Sequence, residues 1–183
     1  GVQILHLSGL IGALSKETST FCLELARNAK KTGTLISFDL NYRASFWKGR
    51  EKELRNIFSE IASLSDILVG NEEDFQLCLG IKGPEEGGKD LAGKIDSFKE
   101  MIKRVKESYQ GASVFATTLR QVVSVNSHLW GALMLNDNEW KVIEPRQIDV
   151  LDRIGGGDGF VGGMLYAILK GWEPEKWIQF GWA

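Results

Sequence analysis

Apolar runs of strand length alternate with amphipathic helical segments along most of this 183-residue sequence. Residues 2–7 and 34–40 are apolar or β-branched runs, and residues 15–31 between them repeat apolar side chains at helical spacing. A second helical segment, residues 51–63, leads to a short strand at residues 66–69. Because a strand, a helix and a strand in succession form a right-handed crossover, this order predicts an α/β fold with a mostly parallel sheet.

The pattern changes after the strand predicted at residues 113–118. Three short strand candidates follow, separated by the turn-forming sequences Asn-Ser-His and Asn-Asp-Asn, at residues 122–125, 129–135 and 139–143. They indicate a small antiparallel meander. An extended run at residues 147–152 then leads through a glycine cluster into a helix predicted from about residue 158 to residue 169.

Composition and charge exclude several kinds of partner. The 22 basic and 24 acidic residues leave a net charge of -2, and no basic stretch is interleaved with aromatic residues, so no nucleic-acid partner is expected. No apolar run approaches the ~20 residues of a membrane helix, so we expect no membrane partner and a cytoplasmic location. With 43% hydrophobic and 25% charged residues, the sequence predicts a single α/β domain over residues 1–183.

The most informative local sequence is Asp152-Arg-Ile-Gly-Gly-Gly-Asp-Gly-Phe160. Successive glycines leave backbone N–H groups open at the start of a helix, which suits a phosphate group. A carboxylate among such amides would repel phosphate unless it served in proton transfer, so Asp158 is predicted to be a catalytic base in phosphoryl transfer. Two alternatives stay open: a capped helix after a tight turn, and a dinucleotide fingerprint over residues 157–162.

This segment resembles the carboxyl-terminal signature of the PfkB (ribokinase) family of sugar kinases, D-T-T-G-A-G-D-[AST]-F. The resemblance implies a ribokinase-like three-layer αβα fold, with ATP and Mg²⁺ as cofactors. It also implies that Gly155, Gly156 and Gly157 form an anion hole beside the base Asp158. The sequence departs from the signature at Gly156 and Gly159, and Arg153-Ile154 replaces two threonines, which leaves monovalent-cation dependence open.

Polar residues follow the predicted strands, at the edge where ligands of parallel sheets bind. Gly70-Asn-Glu-Glu-Asp-Phe75 resembles the family's N-x-x-E motif, which acts on magnesium and phosphate largely through water. The resemblance assigns Asn71 to the nucleotide and Asp74, which stands where Glu is usual, to an indirect metal role. A plain helix start, with Asn71 as its cap, explains these residues equally well.

Phe38-Asp-Leu-Asn-Tyr-Arg43 resembles a segment of family members that act on 2-keto-3-deoxygluconate. There the arginine holds the acidic end of the sugar, because its planar fork meets a carboxylate with two hydrogen bonds. Arg43 and Asp39 are therefore the predicted substrate residues, with a surface Arg43–Asp39 pair as the alternative. Ala116-Thr-Thr-Leu-Arg120 resembles the same subset, which assigns Thr117, Thr118 and Arg120 to the nucleotide.

The resemblance predicts ATP-dependent phosphorylation of a sugar hydroxyl, with 2-keto-3-deoxygluconate as the expected sugar. Fructose, ribose or a nucleoside as substrate, and a nucleotide-binding module without catalysis, stay open as alternatives. The sequence begins without Met and ends within a helical pattern, so we expect it to be the carboxyl-terminal, nucleotide-binding part of a longer kinase. The first strands and a β-lid, through which the full-length protein could form a homodimer, would precede it, and the isolated chain is expected to turn over poorly.

Overall fold

The computed structural model describes residues 1–84, 91–152 and 154–183. None of the helices in these ranges is both long enough and apolar enough to cross a membrane. In chain order the described elements are β1 (Ile4–Ser8), α1 (Gly9–Ala13), α2 (Lys16–Lys31), β2 (Leu35–Asp39), α3 (Ala44–Trp47), α4 (Glu51–Leu64), β3 (Ile67–Val69), α5 (Glu72–Leu79), a short 3-10 helix (Ala92–Lys94), α6 (Ile95–Ser108), β4 (Val114–Ser124), β5 (Ser127–Asn136), β6 (Glu139–Asp149), α7 (Gly156–Leu169) and α8 (Pro174–Trp182).

The strands form one sheet whose spatial order follows the chain, from β1 to β6. The pairs β1–β2, β2–β3 and β3–β4 are parallel and are connected through helices. The pairs β4–β5 and β5–β6 are antiparallel and are joined by short turns. The predicted mostly parallel sheet with an antiparallel meander is therefore confirmed.

The strand boundaries in the meander differ from those predicted. The strands predicted at residues 113–118 and 122–125 are joined in the single strand β4, Val114–Ser124. The strand predicted at residues 139–143 and the first part of the extended run predicted at residues 147–152 are joined in β6, which ends at Asp149. Pairing with β5 extends β4 and β6 through polar residues whose own sequence does not predict a strand. Pro145 is tolerated in β6 because this strand lies at the edge of the sheet and the proline falls where the register to β5 shifts, between Trp130 and Ala132.

Two apolar clusters cover the two faces of the sheet. The larger cluster joins α2, α4, α5 and α6 to one face, for example through Phe58 of α4 against Phe38 of β2. The smaller cluster joins α7 and α8 to the other face, where Phe160 packs with Val69 and Ala116. Adjacent strand residues alternate between the clusters, as a pleated sheet requires. The arrangement is the expected three-layer αβα architecture.

The carboxyl ends of the parallel strands lie in one row. Ser8 of β1 is paired in register with Asp39 of β2, Asp39 with Val69 of β3, and Val69 with Ala116 of β4. Residues paired in this way share a face of the sheet, and Val69 and Ala116 belong to the cluster under α7. Asp39 therefore ends its strand on the same side of the sheet as α7.

Candidate active site

The glycine turn and the first turn of α7 form an open, exposed surface. Gly155 precedes the helix with φ 80°, a left-handed conformation that favours glycine, and its carbonyl accepts the N–H of Gly159 at 2.7 Å. Asp158 lies in this first turn and is exposed. The positive end of the α7 dipole, where first-turn N–H groups have no partner within the helix itself, therefore faces solvent beside a carboxylate.

The glycines in the first turn of α7 are not explained by packing. A Cβ added at Gly157 or Gly159 would meet no other atom within 4 Å, and one at Gly156 would lie 3.9 Å from the Trp130 ring, an ordinary contact. None of these three glycines has a positive φ, so the backbone conformation does not explain them either. Glycine weakens a helix relative to alanine by roughly 0.5–1 kcal/mol. Bare backbone at this position suits the close approach of an anionic ligand to the helix N-terminus.

The carboxyl of Asp39 is buried, and the negative charge of Asp158 acts on its pKa. Its side chain is only 8% exposed, and burial, followed by the nearby carboxylates of Asp74 and Asp158, raises the pKa of Asp39 to about 7. The Asn41 N–H and the Arg43 guanidinium act in the opposite direction. The carboxyl end of β2 and the start of α7 thus bring the acidic side chains of Asp39 and Asp158 into one site.

The loop after β2 presents Arg43 to solvent. Asn41 has φ 41°, an uncommon conformation for a residue with a side chain, and its amide donates to Ser8 Oγ at 3.3 Å. Arg43 is exposed, and its Nη1 donates to the Tyr42 carbonyl at 2.7 Å. Among the ion pairs of the described residues there is none between Arg43 and Asp39. The Arg43 guanidinium is therefore accessible to a ligand at this edge of the sheet.

Asn71 and Asp74 form a reciprocal cap at the start of α5. The Asp74 N–H donates to Asn71 Oδ1 at 2.9 Å, and the Asn71 N–H donates to Asp74 Oδ2 at 2.8 Å. The other oxygen of Asp74 accepts the Tyr42 N–H at 2.7 Å. The helix-start interpretation therefore describes the local structure. The Asp74 side chain is 5% exposed and lies between the loop after β2 and the loop after β3.

The two threonines of β4 lie on opposite faces of the sheet. Thr118 shares the face of Ala116, under α7, and is partly exposed, whereas Thr117 is fully buried on the side of the larger cluster. Arg120 is exposed on the same face as Thr118. Of the three β4 residues among those assigned to the nucleotide, Thr118 and Arg120 thus present side chains toward the α7 layer, and Thr117 contributes only backbone there.

Two residues near the site carried no signal in the sequence analysis. Trp130 of β5 pairs with Arg120, and its ring would lie 3.9 Å from a Cβ added at Gly156. His6 of β1 shares a hydrogen bond of 3.1 Å with Ser37, and burial lowers the pKa of His6 while Asp158 raises it. Strand alternation could have found His6, because His6, Ser37 and Asp39 all lie on one face of adjacent strands.

Comparison with known proteins matches the whole chain to one family. The pfkB family carbohydrate kinase profile matches residues 1–183. The chain is similar to a 5-dehydro-2-deoxygluconokinase of Clostridium tetani, 29% identical over 168 residues, which cover 91% of this chain and 43% of that protein. It is also similar to a 2-dehydro-3-deoxygluconokinase of Bacillus subtilis, 28% identical over 178 residues, which cover 97% of this chain and 47% of that protein.

The fold is similar to that of a solved kinase. The crystal structure of 2-dehydro-3-deoxygluconokinase from Thermotoga maritima matches with a TM-score of 0.86 at 26% identity, covering 100% of this chain and 52% of that one. The chain therefore spans about half the length of the relatives that it matches. Because the family profile extends over all of its residues, the chain belongs to the pfkB family of carbohydrate kinases.

Proposed function

We propose that the full-length protein phosphorylates a sugar hydroxyl with ATP and that Asp158 is the catalytic base. The observation that carries this proposal is the exposed carboxylate of Asp158 in the first turn of a helix whose neighbouring glycines leave open space. An anion at this helix start would be stabilised by backbone N–H groups, and a hydroxyl beside it would find a proton acceptor. Phosphoryl transfer requires these two functions at adjacent positions.

In this mechanism the γ-phosphate of ATP lies against the N–H groups of Gly155, Gly156 and Gly157. Asp158 accepts the proton of the sugar hydroxyl while the hydroxyl oxygen attacks the γ-phosphorus, the bond from that phosphorus to the β–γ bridging oxygen breaks and ADP leaves. The amides stabilise the charge that develops on the transferred phosphoryl group. The hydrogen bonds described for this turn run from the Gly159 N–H to the Gly155 carbonyl and from the Ile154 N–H to Asp152 Oδ1, and neither of them uses the N–H of Gly155, Gly156 or Gly157. The turn is therefore prepared to receive a phosphate.

Mg²⁺ supplies charge neutralisation for the phosphates when it is bound. Among the described residues no group of three His, Cys, Asp or Glu side chains is placed to hold a metal directly. This fits Mg²⁺, which commonly keeps several waters and binds through substrate phosphates. Asn71 and, through water, Asp74 are the residues proposed to contact this hydrated ion and the phosphates, and Thr117, Thr118 and Arg120 are proposed to line the rest of the nucleotide site.

The proposed substrate is a keto-deoxy sugar acid, with 2-keto-3-deoxygluconate as the first candidate. Both curated relatives are named for deoxygluconate derivatives, which carry a carboxylate. Arg43 is exposed in the loop that follows Asp39 and β2, so its guanidinium can meet that carboxylate with two hydrogen bonds. Phosphorylation rates on a panel of acidic sugars, fructose, ribose and nucleosides test this choice, and a preference for neutral sugars contradicts it.

The catalytic assignment is tested with Asp158→Asn in the full-length protein. We expect kcat to fall by about 10²–10⁴-fold while ATP affinity, measured by titration calorimetry, is kept. Asp96→Asn is the matched control, because Asp96 also lies in the first turn of a helix, α6, where its 94% exposed side chain pairs with Lys99. Equal rates for the two variants would refute the role of Asp158, and a wild-type protein that binds ATP without transferring phosphate would favour a non-catalytic module.

A further inference from the structure

The carboxylate of Asp74 joins two loops at the carboxyl edge of the sheet. Its Oδ1 accepts the Tyr42 N–H at 2.7 Å, in the loop between β2 and α3. Its Oδ2 accepts the Asn71 N–H at 2.8 Å, in the loop between β3 and α5. Both bonds are charge-assisted, and such bonds are about twice as strong as those between neutral groups.

The two loops carry different parts of the proposed site. Tyr42 directly precedes Arg43, the proposed partner of the sugar carboxylate, and Asn71, the cap of α5, is itself proposed to contact the phosphates. We infer that Asp74 is a positioning residue, which holds the loop of residues 40–43 against the start of α5 and so sets where Arg43 meets the sugar acid. This inference rests on the proposed function, and it gives Asp74 a second role beside the indirect one toward magnesium.

The surroundings of Asp74 keep its side chain in place. It is 5% exposed, and a Cβ added at Gly70 would lie 3.0 Å from the Asp74 Cβ and 3.2 Å from the Leu40 side chain. The Leu40 N–H in turn donates to the Val69 carbonyl at 2.9 Å, which ties the start of the same loop to β3. A carboxylate buried this closely is stable only where donors meet it. The two backbone N–H groups are such donors.

The length of the side chain distinguishes positioning from a magnesium role. Both Asp74 oxygens sit at normal hydrogen-bond distance from their donors, so an added methylene would displace the carboxylate from at least one of them. Glu is the usual residue of the family motif at this position, and it keeps the negative charge. Asp74→Glu therefore preserves a water-mediated contact to magnesium but disturbs the contact between the loops.

The test measures kcat, the KM for the sugar acid, the KM for ATP and the half-saturating Mg²⁺ concentration of the full-length protein and its Asp74→Glu variant. We expect the sugar-acid KM to rise about tenfold, the effect of one lost hydrogen bond to a charged group, with the half-saturating Mg²⁺ concentration unchanged because the negative charge is kept. In an Arg43→Ala background the same substitution should leave the sugar-acid KM unchanged, because a positioning residue acts through the residue that it positions. Hydrogen exchange at the Tyr42 amide should become faster in Asp74→Glu.

Three results would overturn the inference. They are an unchanged sugar-acid KM in Asp74→Glu, a change confined to the Mg²⁺ dependence, and full additivity with Arg43→Ala. If Asp74→Glu does not fold, Gly70→Ala replaces it, because the added methyl presses on Asp74 without altering any charge, and the same rise in KM is expected. A wild-type protein that phosphorylates no sugar acid defeats the proposed function itself, which is distinct from an active wild type with a silent Asp74 variant.

Discussion

The buried carboxyl of Asp39, at the end of β2, lies within electrostatic reach of Asp158, in the first turn of α7. Burial is the largest cause of the raised pKa of Asp39, and the charges of Asp74 and Asp158 add to it. Elements far apart in the chain therefore meet at one edge of the sheet, as ligand sites of open α/β sheets do. Because the pKa of Asp39 is raised in the folded protein, the free energy of unfolding also depends on pH.

Asp39→Asn should stabilise the protein more at high pH than at low pH. Asp39 has a pKa of about 7 when folded, against 3.8 as its ordinary value. Its contribution to stability is full below about pH 4 and is lost as pH rises through 7, because over that range the unfolded state binds fewer protons than the folded state. The asparagine of the variant does not ionise, so the variant avoids this loss of stability. For a pKa shift of this size the loss is at most about 4 kcal/mol.

The measurement is the difference in melting temperature between variant and wild type, followed from pH 5 to pH 8.5 on the full-length protein. The difference should become more positive as pH rises. Asp149→Asn, at an exposed position of β6, removes one carboxyl and is measured over the same pH range as the control. A constant difference for Asp39→Asn would mean that Asp39 ionises normally in the folded protein.

Gly157→Ala should make the protein more stable and less active. The added methyl meets no atom within 4 Å, and the residue is inside α7 with no positive φ, so alanine should stabilise the helix by about 0.5–1 kcal/mol. The same methyl would stand where a phosphate approaches the amides, so the rate of phosphate transfer should fall. Gly162→Ala is the control, because it also adds a methyl in open space in α7, farther from the glycine turn. Urea unfolding and steady-state kinetics measure both effects, and a fully active Gly157→Ala would remove the case for an anion hole.

Gly163→Ala should destabilise the same helix. A Cβ there would lie 2.7 Å from the Phe180 carbonyl oxygen and 2.9 Å from the Gly181 Cα, so α7 and α8 would have to separate. Overpacking of this kind typically costs about 1–3 kcal/mol. The midpoint of urea unfolding should fall accordingly, in contrast to the rise expected for Gly157→Ala. A neutral Gly163→Ala would show that the two helices can move apart without loss of packing.

The sequence predicted the architecture better than the geometry of the site. Alternation and turn chemistry were sufficient for the parallel strands and the meander, because both depend on local patterns. The fusion of two predicted strands into β4 depends on pairing with β5, which local patterns do not contain. The burial of Thr117 follows from strand alternation, whereas the contact between Asp74 and the Tyr42 N–H joins residues that are neighbours only in the fold.

Arg43→Lys should weaken the binding of acidic sugars selectively. Lysine keeps the charge but loses the planar fork that meets a carboxylate with two hydrogen bonds, so the KM for a keto-deoxy sugar acid should rise about tenfold. The residual rate with a neutral sugar should stay unchanged, because such a sugar has no carboxylate to lose. Arg27→Lys is the matched control: Arg27 is an exposed arginine of α2 that pairs with Glu60 of α4, in the layer opposite α7. Equal losses with acidic and neutral sugars would show that Arg43 supports the loop instead of reading the substrate's charge.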